Sequence, residues 1–208
     1  KNNNKFWSLV ATILHASISF ITLYIIIRTQ SMEVVGEYSL CLAIVSPVFI
    51  ALSLQSRQLI VANASSEVPL AKYCVVRALS NLLSIVFVIA IAFTVEALND
   101  HWWLLFALSI FRLVEFTSEI FEAKFHRDLR MYDFASVIIV RSISYIILFF
   151  VLVLLGLSIE NSILAASLFS LACVFLKMKM LNVDISIMCL RDNIFPISMN
   201  IESYQTIL

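Results

Sequence analysis

Three stretches of this chain, residues 6–27, 38–56 and 78–95, contain no Asp, Glu, Lys or Arg at all. A run of about 20 mainly apolar residues is what an α-helix needs to cross the hydrocarbon core of a bilayer. Three further stretches extend the pattern. Residues 102–121 are apolar but carry Arg112, Glu115 and Glu119, and 134–155 are apolar around Arg141. Residues 162–178 form a shorter run that continues through Lys177, whose long side chain can snorkel to the interface.

The expectation is an all-α, polytopic helical membrane protein. Six transmembrane helices at about 6–27, 38–56, 74–95, 102–121, 134–155 and 162–178 would form one bundle over residues 1–191. Residues 192–208 would start a seventh helix, with Asp192 or Asn193 as its N-cap and Pro196 in its first turn. The chain begins at Lys1 and stops at Leu208, before that helix could cross, so a fragment of a longer protein is expected. The first run is longer than a signal-peptide core and no small-x-small site follows it, so it reads as a retained span.

Composition narrows the function classes. The chain is 62% apolar and 13% charged, against roughly half and a quarter in soluble domains. That argues against a soluble fold, a disordered segment and a nucleic-acid binder. The net charge is +0, so no bulk electrostatic partner is implied. Cys41, Cys74, Cys173 and Cys189 form no CxxC pair, and His15, His101 and His126 sit apart from them and from one another. No metal site and no cofactor are expected from that spacing.

Basic residues orient the spans. With the N-terminus in the cytoplasm, inner segments carry Lys1 and Lys5, then Arg57, Lys72 and Arg77, then Lys124, Arg127 and Arg130, then Lys177, Lys179 and Arg191. Outer segments carry Arg28 alone, and Arg112 and Arg141 lie within spans, which accounts for all 14 Lys and Arg residues. The outer segments hold Glu33, Glu37, Glu96, Asp100 and Glu160 instead, with Trp102 and Trp103 at the outer interface and Trp7 at the inner one. The longest inner connection, 122–133, alternates charges with Phe125, Leu129 and Tyr132, and is expected to extend two helices or to lie on the membrane surface.

A charge at bilayer depth costs about 3 kcal/mol on insertion scales, so such residues face a bundle interior or water and are functional candidates. At 100° per residue, Arg112, Glu115, Glu119 and Glu122 fall within an arc of roughly 80°. Three acids and one base leave an acidic excess, so either another helix supplies cations, with Arg141 the obvious donor, or some of the acids hold protons. Ser8, Thr12, His15, Ser19 and Thr22 form a second polar stripe, and Cys74, Arg77, Asn81 and Ser84 a third. Together these faces point to a hydrated central cavity. Pro47 frees a backbone carbonyl in the second span and is a hinge candidate.

Several of these features occur together in one known family. An inner basic start to the first span, Gly36-Glu37-Tyr38 leading into a second span with Pro47, the inner Lys124/Arg127/Arg130 loop, Arg141 in the fifth span and Phe195-Pro196 opening the seventh cover essentially the whole chain. In these respects the sequence resembles the polysaccharide-transporter (O-antigen flippase) branch of the multidrug/oligosaccharidyl-lipid/polysaccharide exporters. The resemblance implies one half of a two-bundle, alternating-access transporter in the bacterial cytoplasmic (inner) membrane. The implied cargo is an undecaprenyl-pyrophosphate-linked oligosaccharide repeat unit for O-antigen or capsule. The implied partners are that lipid-linked oligosaccharide, membrane lipids, a polysaccharide polymerase and chain-length proteins, with no nucleic acid.

On that reading Arg112 and Arg141, joined by Arg57 or Arg77, hold the diphosphate through charge-assisted hydrogen bonds. Asn81 and Ser19 meet sugar hydroxyls, and Glu115, Glu119 and His15 are ion-coupling candidates. Two other readings are kept. The acids of the fourth span could bind an organic cation, as in a drug antiporter of the same superfamily. A membrane-embedded polysaccharide enzyme would need a large outer loop or a His/Asp cluster, and neither is present in the sequence.

Overall fold

Few residues in this chain interrupt a helix: it has only two glycines and three prolines. The computed structural model describes residues 2–53, 56–62, 70–95, 98 and 100–181. Among them the regular structure is helical, with no strand. The helices are α1 (Asn2–Thr29), α2 (Met32–Leu52), α3 (Ser56–Ala62), α4 (Leu70–Thr94), α5 (Trp102–Arg127), α6 (Met131–Leu154) and α7 (Ile159–Met180). The expected start of a further helix at 192–208 lies outside the described residues.

Five stretches are long and apolar enough to cross a membrane: Phe6–Thr29, Met32–Ala62, Lys72–Thr94, Met131–Leu154 and Ile159–Met180. This is a multi-pass membrane protein by length and composition. Its outward faces agree. Phe20, Phe93, Leu79, Ile147 and Leu176 are exposed; in water they would form large apolar patches, whereas in a bilayer they meet acyl chains.

Helix ends differ from the sequence expectation where the chain has local reasons to differ. The second helix begins at Met32, not near residue 38, behind an extended Ser31. Glu33 therefore sits in its first turn, where a carboxylate faces the positive end of the helix dipole. Glu33, Gly36 and Glu37 are helical rather than part of a loop. The same helix stops at Leu52, four residues short of the expected end at 56, where a separate short helix, α3, begins. Pro47 is accommodated inside α2, on an exposed face.

The connection at 122–133, expected on the inner side, is mostly helix. α5 runs on to Arg127 and α6 starts at Met131, leaving a tight turn in which the Arg130 N–H donates to Phe125 O at 2.9 Å. At the other end of α6, Gly156 takes φ +80. Its N–H donates to Val153 O at 3.1 Å and that of Leu157 to Leu152 O at 3.2 Å. This closes the helix with the left-handed residue that glycine adopts most cheaply.

The sixth long helix, α5, holds the centre. At 26 residues it is about 39 Å long, yet its charges keep it out of the apolar set. It packs against α2, α3, α4, α6 and α7, while α1 lies against α6 and, more lightly, α2. A charged helix is tolerated there because its neighbours shield it from lipid. Aromatic contacts mark the two ends. Trp7 meets Tyr132 edge-on at 5.8 Å at one end, and Phe93 meets Trp102 at 4.9 Å at the other.

Candidate functional site

The stripe on α5 fans out toward two sets of neighbours. Glu119 and Glu122 are separated by about 60° around the axis, so one reaches α4 and the other α6. Arg77 of α4 donates from Nη2 to Glu119 Oε2 at 2.5 Å, from Nη1 to Ser53 O at 2.7 Å and from Nε to Phe116 O at 3.0 Å. Its guanidinium also lies 4.6 Å from the Phe116 ring centroid. Arg141 of α6 pairs with Glu122 Oε1 at 2.9 Å, donates to Glu115 O at 3.1 Å, and bonds Ser118 Oγ. Arg112 donates to Glu115 Oε2 at 2.5 Å within α5 and to Ser46 Oγ of α2 at 2.7 Å.

Three arginines thus meet three glutamates, one pair each. The expected acidic excess is offset by α4 and α6 together, not by Arg141 alone. Arg77, assigned by sequence to the inner basic set, is only 1% exposed and belongs to the interior. Glu122, assigned to the inner connection, is also 1% exposed. Buried ion pairs with such direct geometry remove most of the desolvation problem that each charge would face alone.

His15, at the middle of α1, enters the network from the remaining side. Its Nδ1 lies 2.8 Å from Arg141 Nη2 and its Nε2 lies 3.7 Å from Glu115 Oε1. Of the rest of its stripe, Thr22 also reaches α6, where its side chain is hydrogen-bonded to that of Tyr145, whereas Thr12 bonds within α1. Thr12 donates to Ser8 O and Thr22 to Ile18 O, each at 2.9 Å within α1. Ser and Thr hydroxyls satisfied on their own helix need neither water nor a ligand. Among the described residues, Ser19 makes no hydrogen bond to the charged groups. Asn81 does join the site's edge, donating to Thr117 Oγ1 at 3.3 Å. Arg57 stands apart on α3, its guanidinium 5.2 Å from the Phe134 ring centroid.

Among these faces, where a hydrated central cavity was expected, the described charged groups touch one another directly. The gap bordered by Ile18, Phe111, Glu115, Arg141, Tyr145 and Ser170 measures about 10 Å³, the room one water needs. Two polar atoms of the network remain without a hydrogen-bond partner among the described residues, Arg112 Nε and Glu122 Oε2. No group of three or more His, Cys, Asp or Glu residues able to hold a metal ion occurs among the described residues.

Sequence periodicity found the face of α5 but underrated Glu122 and missed Ser118, Ser46 and Thr117. Glu122 was signalled by its i+3 spacing from Glu119. The hydroxyl partners carried no comparable signal, because serine and threonine are common on every helix here. Comparison with protein-family models, with curated proteins and with solved structures yields no match to the chain.

Proposed function

We propose that this chain belongs to a multi-pass membrane transporter in which α5 also crosses the bilayer, giving six spans with the N-terminus in the cytoplasm. Within that class, we propose a carrier rather than an enzyme. It would be part of a polysaccharide flippase of the bacterial inner membrane that moves an undecaprenyl-pyrophosphate-linked oligosaccharide to the outer leaflet. A second bundle beginning with the helix near 192–208 would complete it.

The observation that carries this reading is the arginine cluster at mid-helix depth, with one donor to spare. Arg112 keeps Nε without a partner, so it can meet a phosphate oxygen while still holding Glu115. Arg141 and Arg77 would have to exchange a carboxylate for a phosphate, which replaces one anion by another of similar geometry. Three arginines against three glutamates leave the cluster neutral, so the spare Arg112 donor, and not net charge, is what favours an anionic head group over an organic cation. The lipid tail can remain in the bilayer beside the exposed apolar faces.

Complementation tests the proposal. In a flippase-null host expressing the whole protein, Arg112→Ala and Arg141→Ala should each abolish surface polysaccharide, with protein present in the membrane at normal levels. Arg112→Lys and Arg141→Lys, which keep the charge, should restore part of the activity if folding alone is not at fault. Normal polysaccharide in both alanine variants would refute the diphosphate role.

A further inference from the structure

His15 stands between opposite charges carried by two different helices. A guanidinium has donors only, so in the 2.8 Å contact with Arg141 Nη2 the ring nitrogen Nδ1 must accept. The imidazole is then neutral, with its proton on Nε2, the nitrogen that faces Glu115 Oε1 at 3.7 Å. We infer that His15 is a two-position latch. Neutral, it ties α1 to α6 through Arg141; protonated, it releases Arg141 and ties α1 to α5 through Glu115.

The exchange follows from the groups around the ring. Adding a proton to Nδ1 sets an N–H against an N–H and a cation against a cation. The same proton turns the longer Glu115 contact into an ion pair. The charged groups acting on His15 are Arg141 on α6, Glu115 and Glu122 on α5, and Arg57 on α3. Two are cations and two are anions, so the balance is decided by distance and the two direct contacts dominate.

The network is also arranged to survive the change. Arg141 keeps Glu122, the Glu115 carbonyl and Ser118 after His15 leaves. Glu115 engages Arg112 through Oε2, which leaves Oε1 for the ring. As a control on α1 during transport the latch rests on the transport reading above. As a property of the ring it does not.

Two measurements on the whole protein in lipid nanodiscs test it. With ¹⁵N-histidine labelling, the ring signal assigned to His15 by its absence in His15→Gln should show protonated Nε2 and bare Nδ1 at alkaline pH. Both nitrogens should be protonated on acidification. A protonated Nδ1 at alkaline pH would overturn the latch. Spin labels at Ile13→Cys on α1 and Ile143→Cys on α6, both exposed positions, in a background freed of native cysteines, should report a pH-dependent change in separation. His15→Gln, which can accept from Arg141 but cannot take up a charge, should abolish that change. A separation that ignores pH, or a pH response that persists in His15→Gln, refutes the proposal. Loss of transport with an intact latch would instead count against the proposed function.

Discussion

Replacing Arg77 with alanine removes a side chain that joins three helices and should be among the costliest substitutions in the chain. Its three acceptors are not equally dependent on it. Ser53 O also accepts from the Ser56 N–H at 3.3 Å and from Ser56 Oγ at 3.0 Å. Phe116 O lies within α5 and stays in that helix's own ladder. Glu119 has Arg77 as its cation and is left behind as a buried charge, its side chain 17% exposed. Breaking a buried pair from one side costs about 3–5 kcal/mol. The residual exposure of Glu119 places Arg77→Ala near the lower end, at about 3 kcal/mol.

The reverse change should cost less. Glu119→Gln leaves Arg77 with two carbonyls and the Phe116 ring. In the double variant the neutral amide no longer needs a cation, so Arg77→Ala with Glu119→Gln should recover about half of the loss, the remainder reflecting packing and the lost cation–π contact. Reversible unfolding of the purified protein in mixed micelles, read by circular dichroism across a denaturing-detergent series, gives the three values. A double variant no more stable than Arg77→Ala would refute the argument that the orphaned carboxylate dominates.

Three other outcomes follow from described geometry. Arg57→Gln should raise the titration midpoint of His126, which lies past the predicted span and is held below the ordinary histidine value by burial and by the Arg57 charge; an unmoved NMR titration would remove Arg57 as a cause. Because the unfolded chain takes up that proton first, the His126 contribution is full above about pH 6.5 and declines as pH falls toward the folded value. Gly156→Ala should lower stability by roughly 1–2 kcal/mol, since φ +80 at the end of α6 penalises a Cβ, and equal melting temperatures would contradict this. Arg130→Ala should cost under about 1 kcal/mol despite its 2.6 Å contact with Asp133, because that pair is exposed; a larger loss on unfolding would show that the turn depends on it.

Helix positions were readable because bilayer length and the scarcity of glycine and proline leave little freedom over 20-residue runs. Helix faces were readable on α5 because charge in an apolar run has a single angular meaning. Neighbours were not. Nothing in the position of Arg77 distinguishes a basic residue at a membrane surface from one folded back onto Glu119, since both sit just inside the start of an apolar run. The α1 stripe was only partly readable for a related reason: hydroxyls can satisfy themselves on the preceding turn, so Thr12 looks like His15 in sequence and behaves differently in the fold. The break between α2 and α3 had no marker in an apolar stretch without glycine.

The location of charge on α5 also bears on how the protein is made. When α5 is synthesised, Arg77 on α4 has already been delivered and can meet Glu119, and Arg112 already accompanies Glu115 on the same helix. Glu122 has no cation until α6 supplies Arg141. If α5 crosses the bilayer as proposed, Glu122, in its last two turns, would leave an insertion channel as an unpaired acid at some cost, below the about 3 kcal/mol of an acid at the helix centre. α5 is therefore poorly suited to leave that channel alone, and the short turn at 128–130 allows it to leave with α6 as a hairpin. On the six-span proposal, the buried pair across that hairpin would tie the timing of insertion to the order of the chain, with α5 waiting for the helix that follows it.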